Sequence, residues 1–238
     1  MWWSFQVFLG AESPRRTGNG WKNVEENKVQ SANAQVSNSV IFRIKCRAQV
    51  FNWTQHHRTM AKVLTIVSSP VIWDDSSRIA EALTRRAMGL STNTFELVRL
   101  NDLSIVKGCQ RCLRCRNNDI CELEDDLTPI LKKIVKSDVV IFSTPLFFGR
   151  AISQYRLLED RMCCFIGDGD RKPLSGKKFA VVVTSDIDDI HLLKEAEERM
   201  SSFLEGLGLE NIGNIRSTIN QRSDKDIIGK VEEIGNTI

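Results

Sequence analysis

Three short apolar runs mark the part of the chain that follows Met60, at residues 62–67, 138–143 and 178–184. A near-continuous apolar run of this length is typical of a strand buried on both faces of a parallel sheet. Two further strands are predicted at residues 95–100 and 210–219, where apolar residues are interspersed with polar ones.

Between and after these runs, apolar residues recur at spacings of three and four, which predicts amphipathic helices. The clearest helix covers residues 127–135 and has Asp125 and Asp126 at its amino-terminal end, where acidic side chains are stabilising. Strands that alternate with helices predict a parallel sheet with helices on both faces. The remaining helices are expected to begin near residue 76 and to cover residues 152–162, 192–207 and 224–234.

Residues 1–59 lack this pattern, although they hold four of the five tryptophans. We expect them to be a disordered extension or a misassigned start, and residues 60–238 to form the folded domain. They carry eight Lys and Arg against three Asp and Glu, which leaves 25 against 27 for the rest of the chain. A slightly acidic body argues against nucleic-acid binding.

No apolar stretch is long enough to cross a bilayer, and no secretory signal precedes the domain. We therefore expect a cytoplasmic protein, with an organelle as the alternative if residues 1–59 are a targeting segment.

The loop after the first predicted strand is rich in hydroxyl groups. Ser69 and Pro70 open it, and Ser76 and Ser77 close it where a helix begins. A helix amino terminus and loop N–H groups suit a phosphate. The alternative is that the serines are only helix caps.

Two further loops are expected at the same edge of the sheet. Aromatic and small residues at the carboxyl end of a buried strand suit a flat ligand in an open α/β sheet, whereas core packing of the two phenylalanines is the alternative. These residues are Pro145, Leu146, Phe147, Phe148 and Gly149 after the third strand, followed by Thr184, Ser185 and Asp186 after the fourth.

Four of the seven cysteines fall inside residues 107–126 with the spacing C-x2-C-x2-C-x5-C. Two successive two-residue gaps wrap a loop around one centre, and four neighbouring thiolates suit a [4Fe-4S] cluster. A zinc ion, unligated thiols or disulfides remain as alternatives. Cys163 and Cys164 are interpreted as packing thiols. The four candidate ligands are Cys109, Cys112, Cys115 and Cys121.

This order of features resembles the iron-sulfur flavoproteins, a branch of the flavodoxin-like NADPH-dependent FMN reductases. The resemblance covers residues 60–238 and rests on the hydroxyl loop, the cysteine motif, the pair of acids, residues 144–149 and the segment 154–161. It implies a flavodoxin-like, doubly wound five-stranded parallel sheet of order 2-1-3-4-5 into which the cysteine loop is inserted.

The resemblance also implies one FMN and one [4Fe-4S] cluster per subunit of a homo-oligomer, a dimer or a tetramer. The FMN phosphate would lie on Ser69, Pro70, Ser76 and Ser77, its ring on residues 145–149 and 184–186, and the cluster on the four cysteines. The chain departs from the family's Gly-Ser-Pro-Arg loop, since it has Ser68-Ser69-Pro70-Val71, and it has Phe147 where a tyrosine is common.

The expected function is that of a redox enzyme that passes electrons from a ferredoxin-like donor through the cluster to FMN. The acceptor would be oxygen, peroxide, a quinone or a nitroaromatic compound. The first alternative is an NAD(P)H-dependent FMN or quinone reductase of the same fold without a cluster. The second is a non-enzymatic zinc-binding module. No side chain is expected to act as an acid or a base.

Overall fold

The sheet lies at the centre of the computed structural model, which describes residues 60–90, 92–118, 120–166, 172–218 and 225–238. Five of its strands are parallel and follow the order β2-β1-β3-β5-β6, and the short β4 pairs antiparallel with β3. The strands are β1 (Lys62–Val67), β2 (Thr94–Arg99), β3 (Val139–Phe147), β4 (Arg150–Ala151), β5 (Lys178–Ser185) and β6 (Glu210–Thr218).

Helices cover both faces of this sheet. Side chains of β3 alternate between the two faces, so that Val140 and Phe142 pack with α3, α4 and α5, whereas Val139 and Ile141 pack with α1 and α6. The helices are α1 (Asp75–Met88), α2 (Cys115–Asn118), α3 (Leu127–Lys136), α4 (Ser153–Met162), α5 (Ile190–Gly206) and α6 (Lys225–Thr237), with 3₁₀ turns at Leu100–Asp102 and Cys163–Phe165.

The predicted flavodoxin-like fold is confirmed. With the two-residue β4 left aside, the order of the five parallel strands is the expected 2-1-3-4-5. None of the helices in the described part of the chain combines the length and apolar character that a bilayer-spanning segment needs. The expectation for residues 1–59 lies outside the described residues.

The third strand is longer than its apolar run predicts. β3 continues through Thr144, Pro145 and Leu146, which pair with Val183, Thr184 and Ser185 of β5. The sequence predicts that this strand ends at Ser143 and that residues 144–149 form the loop after it. Pairing of residues 144–146 with β5, and of Leu146 and Phe147 with β4, extends the strand beyond that prediction.

The fold brings the carboxyl ends of β1, β3 and β5 to one edge of the sheet, because all three strands are parallel. The cysteine loop leaves β2 and returns into α3, and the end of α4 packs beside it. The two candidate sites lie at this edge of the sheet and at the cysteine loop beside the end of α4.

Candidate functional site

The three predicted loops meet in a cavity of about 350 Å³ at the carboxyl edge of the sheet, which we call the edge cleft. The expected residues that line it come from the ends of β1, β3 and β5. They are Ser69, Pro70, Pro145, Leu146, Phe147, Thr184, Ser185 and Asp186.

Four of the expected residues do not line the edge cleft. Ser76 and Ser77 are fully buried in the first turn of α1. The Ser76 hydroxyl donates to Asp74 Oδ2 at 2.8 Å, and the Ser77 hydroxyl donates to the Val71 carbonyl at 3.1 Å. Phe148 and Gly149 form the turn between β3 and β4.

Asp74, rather than a serine, caps α1. Its Oδ1 atom accepts the backbone N–H of Ser77 at 2.9 Å, which satisfies a donor that the helix itself leaves unpaired. A carboxylate therefore stands at the helix terminus where a phosphate was expected. Among the described residues that line the edge cleft, Arg78 is the only lysine or arginine. A phosphate here would depend mainly on backbone N–H groups and Arg78.

Exposed aromatic side chains border the edge cleft. Trp73 is 78% exposed and Phe147 54% exposed, and both line the cavity. Large exposed aromatic faces can stack on a planar ring. Trp73 was not predicted as a site residue, although an aromatic residue in a serine-rich loop between a strand and a helix could have indicated it.

A strained turn holds Phe147 at the rim. Phe148 and Gly149 have φ values of 52° and 73°, and Phe147 pairs with Arg150 across them. Positive φ at both central residues is the conformation that two-residue hairpins favour, but a phenylalanine rarely adopts it. Phe148 points away from the fold and is 95% exposed.

The four motif thiols line a second cavity, of about 230 Å³, which we call the thiol cavity. Cys109 and Cys112 are exposed, Cys115 is half-buried at the start of α2, and Cys121 is buried. The loop curves because Arg111 and Leu113 on either side of Cys112 have positive φ values of 50° and 61°. Two such residues in one short loop are uncommon and are typical of binding sites.

The four motif thiols are the candidate metal donors of the thiol cavity. Four thiolates around one zinc ion lie about 3.8 Å apart, because each Zn–S bond is about 2.3 Å in a tetrahedron. Within the described residues, no three His, Cys, Asp or Glu side chains form a group that could hold one metal ion. All four motif thiols nevertheless line one cavity, and four thiolates are the donor set that a [4Fe-4S] cluster takes.

The thiols of the thiol cavity affect one another's ionisation. Burial raises the pKa of the Cys115 thiol, and the negative charges of Cys121, Cys112 and Cys109 raise it further. Thiolates that oppose one another's ionisation are stabilised when iron or another cation lies between them. The side chains of Arg111 and Arg116 also line the cavity.

One buried arginine joins the ends of the cysteine loop. Arg161 of α4 donates from Nε to Cys121 Sγ at 3.2 Å and from Nη1 to the Lys107 carbonyl at 2.8 Å. It also pairs with Asp125 Oδ2 at 2.6 Å and donates from Nη2 to Thr128 Oγ1 at 2.7 Å. Its guanidinium thus bridges the start of the loop, its last cysteine and the acid before α3.

The Arg161–Asp125 pair is fully buried on both sides. Burial alone would raise the pKa of the Asp125 carboxyl, but the hydrogen bond and charge of Arg161, together with the Lys107 and Thr128 N–H groups, lower it. The carboxylate therefore stays ionised at neutral pH. The sequence pattern indicates only that Asp125 is a favourable charge at a helix end. Its separation from Arg161 in the sequence gives no sign that the two residues pair.

Cys163 and Cys164 do more than pack in the core. The 3₁₀ turn after α4 places both on the wall of the thiol cavity, and Cys163 Sγ lies 3.5 Å from Cys109 Sγ. Burial raises the pKa of Cys163 to about 12, with a further rise from the neighbouring Cys109. Burial also raises the pKa of Cys164 to about 12. Sequence spacing could not reveal this proximity, because the two cysteines lie more than forty residues after the motif.

Comparison with known proteins adds a family and named relatives. The model of the NADPH-dependent FMN reductase family matches residues 61–219. An iron-sulfur flavoprotein of Archaeoglobus fulgidus is 33% identical over 90 residues, which are 38% of this chain and 43% of that protein. An iron-sulfur flavoprotein of Methanocaldococcus jannaschii is 32% identical over 102 residues, which are 42% of this chain and 51% of that protein. The chain spans about half the length of these curated relatives.

Solved structures share the fold. An NAD(P)H:quinone oxidoreductase from Methanothermobacter marburgensis superposes with a TM-score of 0.57 at 16% identity, over 75% of this chain and 97% of that one. At this identity the likeness concerns the fold alone.

Proposed function

The chain belongs to the NADPH-dependent FMN reductase family, and on that premise we propose that it is an FMN-dependent redox enzyme that also carries an iron-sulfur cluster. The observation that carries the proposal is that four cysteines with the spacing C-x2-C-x2-C-x5-C line one cavity in a chain whose edge cleft gathers the three predicted loops. The names of the relatives in Archaeoglobus and Methanocaldococcus support it.

The edge cleft is the proposed FMN site. Ser69, Pro70 and the amino terminus of α1 would hold the phosphate, with Arg78 as the nearby cation. Trp73 and Phe147 would flank the ring, and residues 184–186 would follow its opposite edge. Bound FMN accepts and donates one or two electrons, so the protein's contribution is to orient the ring and to exclude water from it.

The thiol cavity is the proposed cluster site. Cys109, Cys112, Cys115 and Cys121 would supply the thiolates, and a [4Fe-4S] cluster would exchange one electron at a time. Arg161 holds the Cys121 sulfur and both ends of the loop in position. Hydrogen bonds to a ligand sulfur stabilise its negative charge and thereby raise the reduction potential of a cluster.

The two proposed sites lie at opposite ends of one helix. α4 begins after the β3–β4 hairpin of the edge cleft and ends at Arg161 and Cys163. Its ten residues correspond to about 15 Å. One rigid helix therefore fixes the position of the cysteine loop relative to the cleft.

We propose a ferredoxin-like protein or NAD(P)H as the electron donor and a small acceptor such as oxygen, peroxide, a quinone or a nitroaromatic compound. We further propose that residues 60–238 form the functional domain, that it acts in the cytoplasm, and that it assembles as a dimer or tetramer. The second candidate is an NAD(P)H-dependent FMN or quinone reductase of the same fold without a cluster, which the match to the model of the NADPH-dependent FMN reductase family favours.

Anaerobic purification followed by quantification of iron, acid-labile sulfide and FMN per chain tests these functions. About four irons and one flavin are expected, and Cys112→Ala should lose iron but keep FMN. Flavin without iron would replace the proposal with the plain reductase. Absence of both would refute the redox function, and zinc without flavin would indicate the binding module.

A further inference from the structure

Cys163 is the thiol that the cysteine motif does not explain. Its Sγ atom lies 3.5 Å from Cys109 Sγ, although the two residues are 54 positions apart in the sequence. Both side chains line the thiol cavity. The Cys163 sulfur therefore lies at the same part of the cavity wall as the Cys109 sulfur.

The two sulfurs are held by different means. Cys109 is exposed on the loop, and the backbone N–H of Arg111 donates to its sulfur at 3.4 Å. Cys163 follows α4, which is anchored by the fully buried Leu158 and Met162 and by the bonds of Arg161. The packed core therefore places Cys163 before any ligand binds, so little conformational entropy remains to be lost when it becomes a ligand.

We propose that Cys163 is a reserve ligand of the thiol cavity, which replaces Cys109 when the Cys109 thiolate dissociates from the iron or is absent. The inference rests on the proposed cluster. In the exchange, one iron–sulfur bond to Cys109 breaks and one to Cys163 forms; where Cys109 is absent, the bond that breaks is the one between iron and a water ligand. The proton of Cys163 passes to the departing Cys109 thiolate or to water, and no electron is gained or lost.

Cys164 is the matched comparison. Cys164 follows Cys163 directly in the sequence and lines the same cavity. The sulfur that contacts Cys109, however, is that of Cys163. The structure thus assigns the exchange to Cys163 and leaves Cys164 as a wall residue.

The test measures iron and acid-labile sulfide per chain after anaerobic purification under a thiol reductant, which prevents a disulfide between Cys109 and Cys163. Cys109→Ala should retain most of the wild-type iron with an altered electron paramagnetic resonance signal. The double variant Cys109→Ala/Cys163→Ala should hold roughly tenfold less iron than the wild type. The control Cys109→Ala/Cys164→Ala should resemble Cys109→Ala alone.

Each other outcome has a distinct meaning. If Cys109→Ala were as poor in iron as the double variant, or if both retained iron, the reserve ligand would be refuted while the proposed cluster stood. A wild-type chain without iron would overturn both. Far-UV circular dichroism and bound FMN verify that each variant is folded.

Alkylation provides a second readout that does not depend on the amount of iron. Iodoacetamide reacts slowly with Cys163, because burial raises the pKa of its thiol, so each protein is compared with its own iron-free form after the same long incubation. Iron should suppress the modification of Cys163 strongly in Cys109→Ala, where the sulfur is engaged, and much less in the wild type. Removal of iron with a chelator should restore the reaction in that variant. Equal modification of Cys163 in both proteins would refute the proposal.

Discussion

The edge cleft is built from strand ends, whereas the thiol cavity is built from a loop whose described residues contain one four-residue helix, α2. Backbone pairing between β1, β3 and β5 fixes the cleft. The loop around the thiol cavity is fixed mainly by side chains, and Arg161 makes contacts with three separate parts of it. A site held by a sheet tolerates the loss of one side chain, but a site held by one buried ion pair does not.

The largest difference between the two sites is expected in Arg161→Met. Removing one partner of a buried ion pair leaves an uncompensated charge, here Asp125, which costs about 3–5 kcal/mol. The free energy of unfolding in urea should fall by that amount, and the iron content should fall with it, while bound FMN decreases much less.

Arg156→Met is the matched control for this prediction. Arg156 lies on the same helix and pairs with Glu159 at 3.8 Å, but its side chain is 47% exposed. Exposed pairs contribute about 1 kcal/mol or less. If the two variants lost similar stability, the Arg161–Asp125 pair would not be what holds the loop.

Acid should weaken the thiol cavity before the edge cleft. Because the pKa of Asp125 is lower in the folded chain than its ordinary value, its contribution to stability is fully present above the unfolded pKa of about 3.9. The contribution is lost as the pH falls through the folded pKa, when the carboxylate that faces Arg161 becomes protonated.

Urea unfolding between pH 7 and about pH 2 measures this loss, because the loss begins only below the unfolded pKa. Asp125→Asn should be less stable than the wild type at neutral pH, and the difference between the two proteins should shrink below the unfolded pKa. A difference that stays constant over the whole range would show that the charge of Asp125 does not stabilise the fold.

Gly149→Ala should damage the edge cleft without affecting the thiol cavity. Gly149 has a φ of 73°, and an added Cβ would lie 3.3 Å from Leu192 Cδ2. A left-handed conformation costs about 1–2 kcal/mol in a residue with a Cβ. We expect that loss of stability together with weaker FMN binding, because the turn positions Phe147, and an unchanged iron content.

Gly206→Ala is the opposite control. Gly206 ends α5 and has no atom within 4 Å of an added Cβ, so alanine should be neutral or stabilising there. Thermal unfolding of Gly149→Ala and Gly206→Ala measures whether each substitution lowers or raises the melting temperature. Equal melting temperatures for them would contradict a requirement for the left-handed turn.

The smallest expected effect concerns the affinity of the proposed phosphate site. Asp74→Asn keeps a good helix cap but removes a negative charge from the edge cleft. FMN should bind roughly threefold more tightly, or by about 0.7 kcal/mol. The gain should shrink in high salt because the charge is not fully buried.

Asp138→Asn is the control for this charge effect, since Asp138 also accepts a backbone N–H, that of Lys62 at 2.8 Å, but at the opposite edge of the sheet. It should leave FMN affinity unchanged. Fluorescence titration of riboflavin in parallel with FMN isolates the phosphate, because riboflavin should show no gain in Asp74→Asn.

Short-range patterns by themselves determined most of the fold and the residues of the cysteine motif. The apolar runs predicted the central strands β1, β3 and β5, because strands buried on both faces are nearly continuously apolar. The outer strands β2 and β6, which are partly exposed, were predicted from interspersed apolar residues. Parallel strands of this kind bring their carboxyl ends to one edge, so the three loops of the edge cleft could be listed in advance. The spacing of Cys109, Cys112, Cys115 and Cys121 needed no structure either, since ligands close in sequence are close in space.

The tertiary structure alone decided the contacts between distant segments. It placed Asp74 rather than Ser76 or Ser77 at the start of α1, and it extended β3 through Pro145 because neighbouring strands supply hydrogen-bonding partners. It also brought Arg161 to Cys121 and Cys163 to Cys109 across 40 and 54 residues. No local pattern encodes such pairs, because they depend on how α4 packs against the sheet and not on any property of the residues beside them.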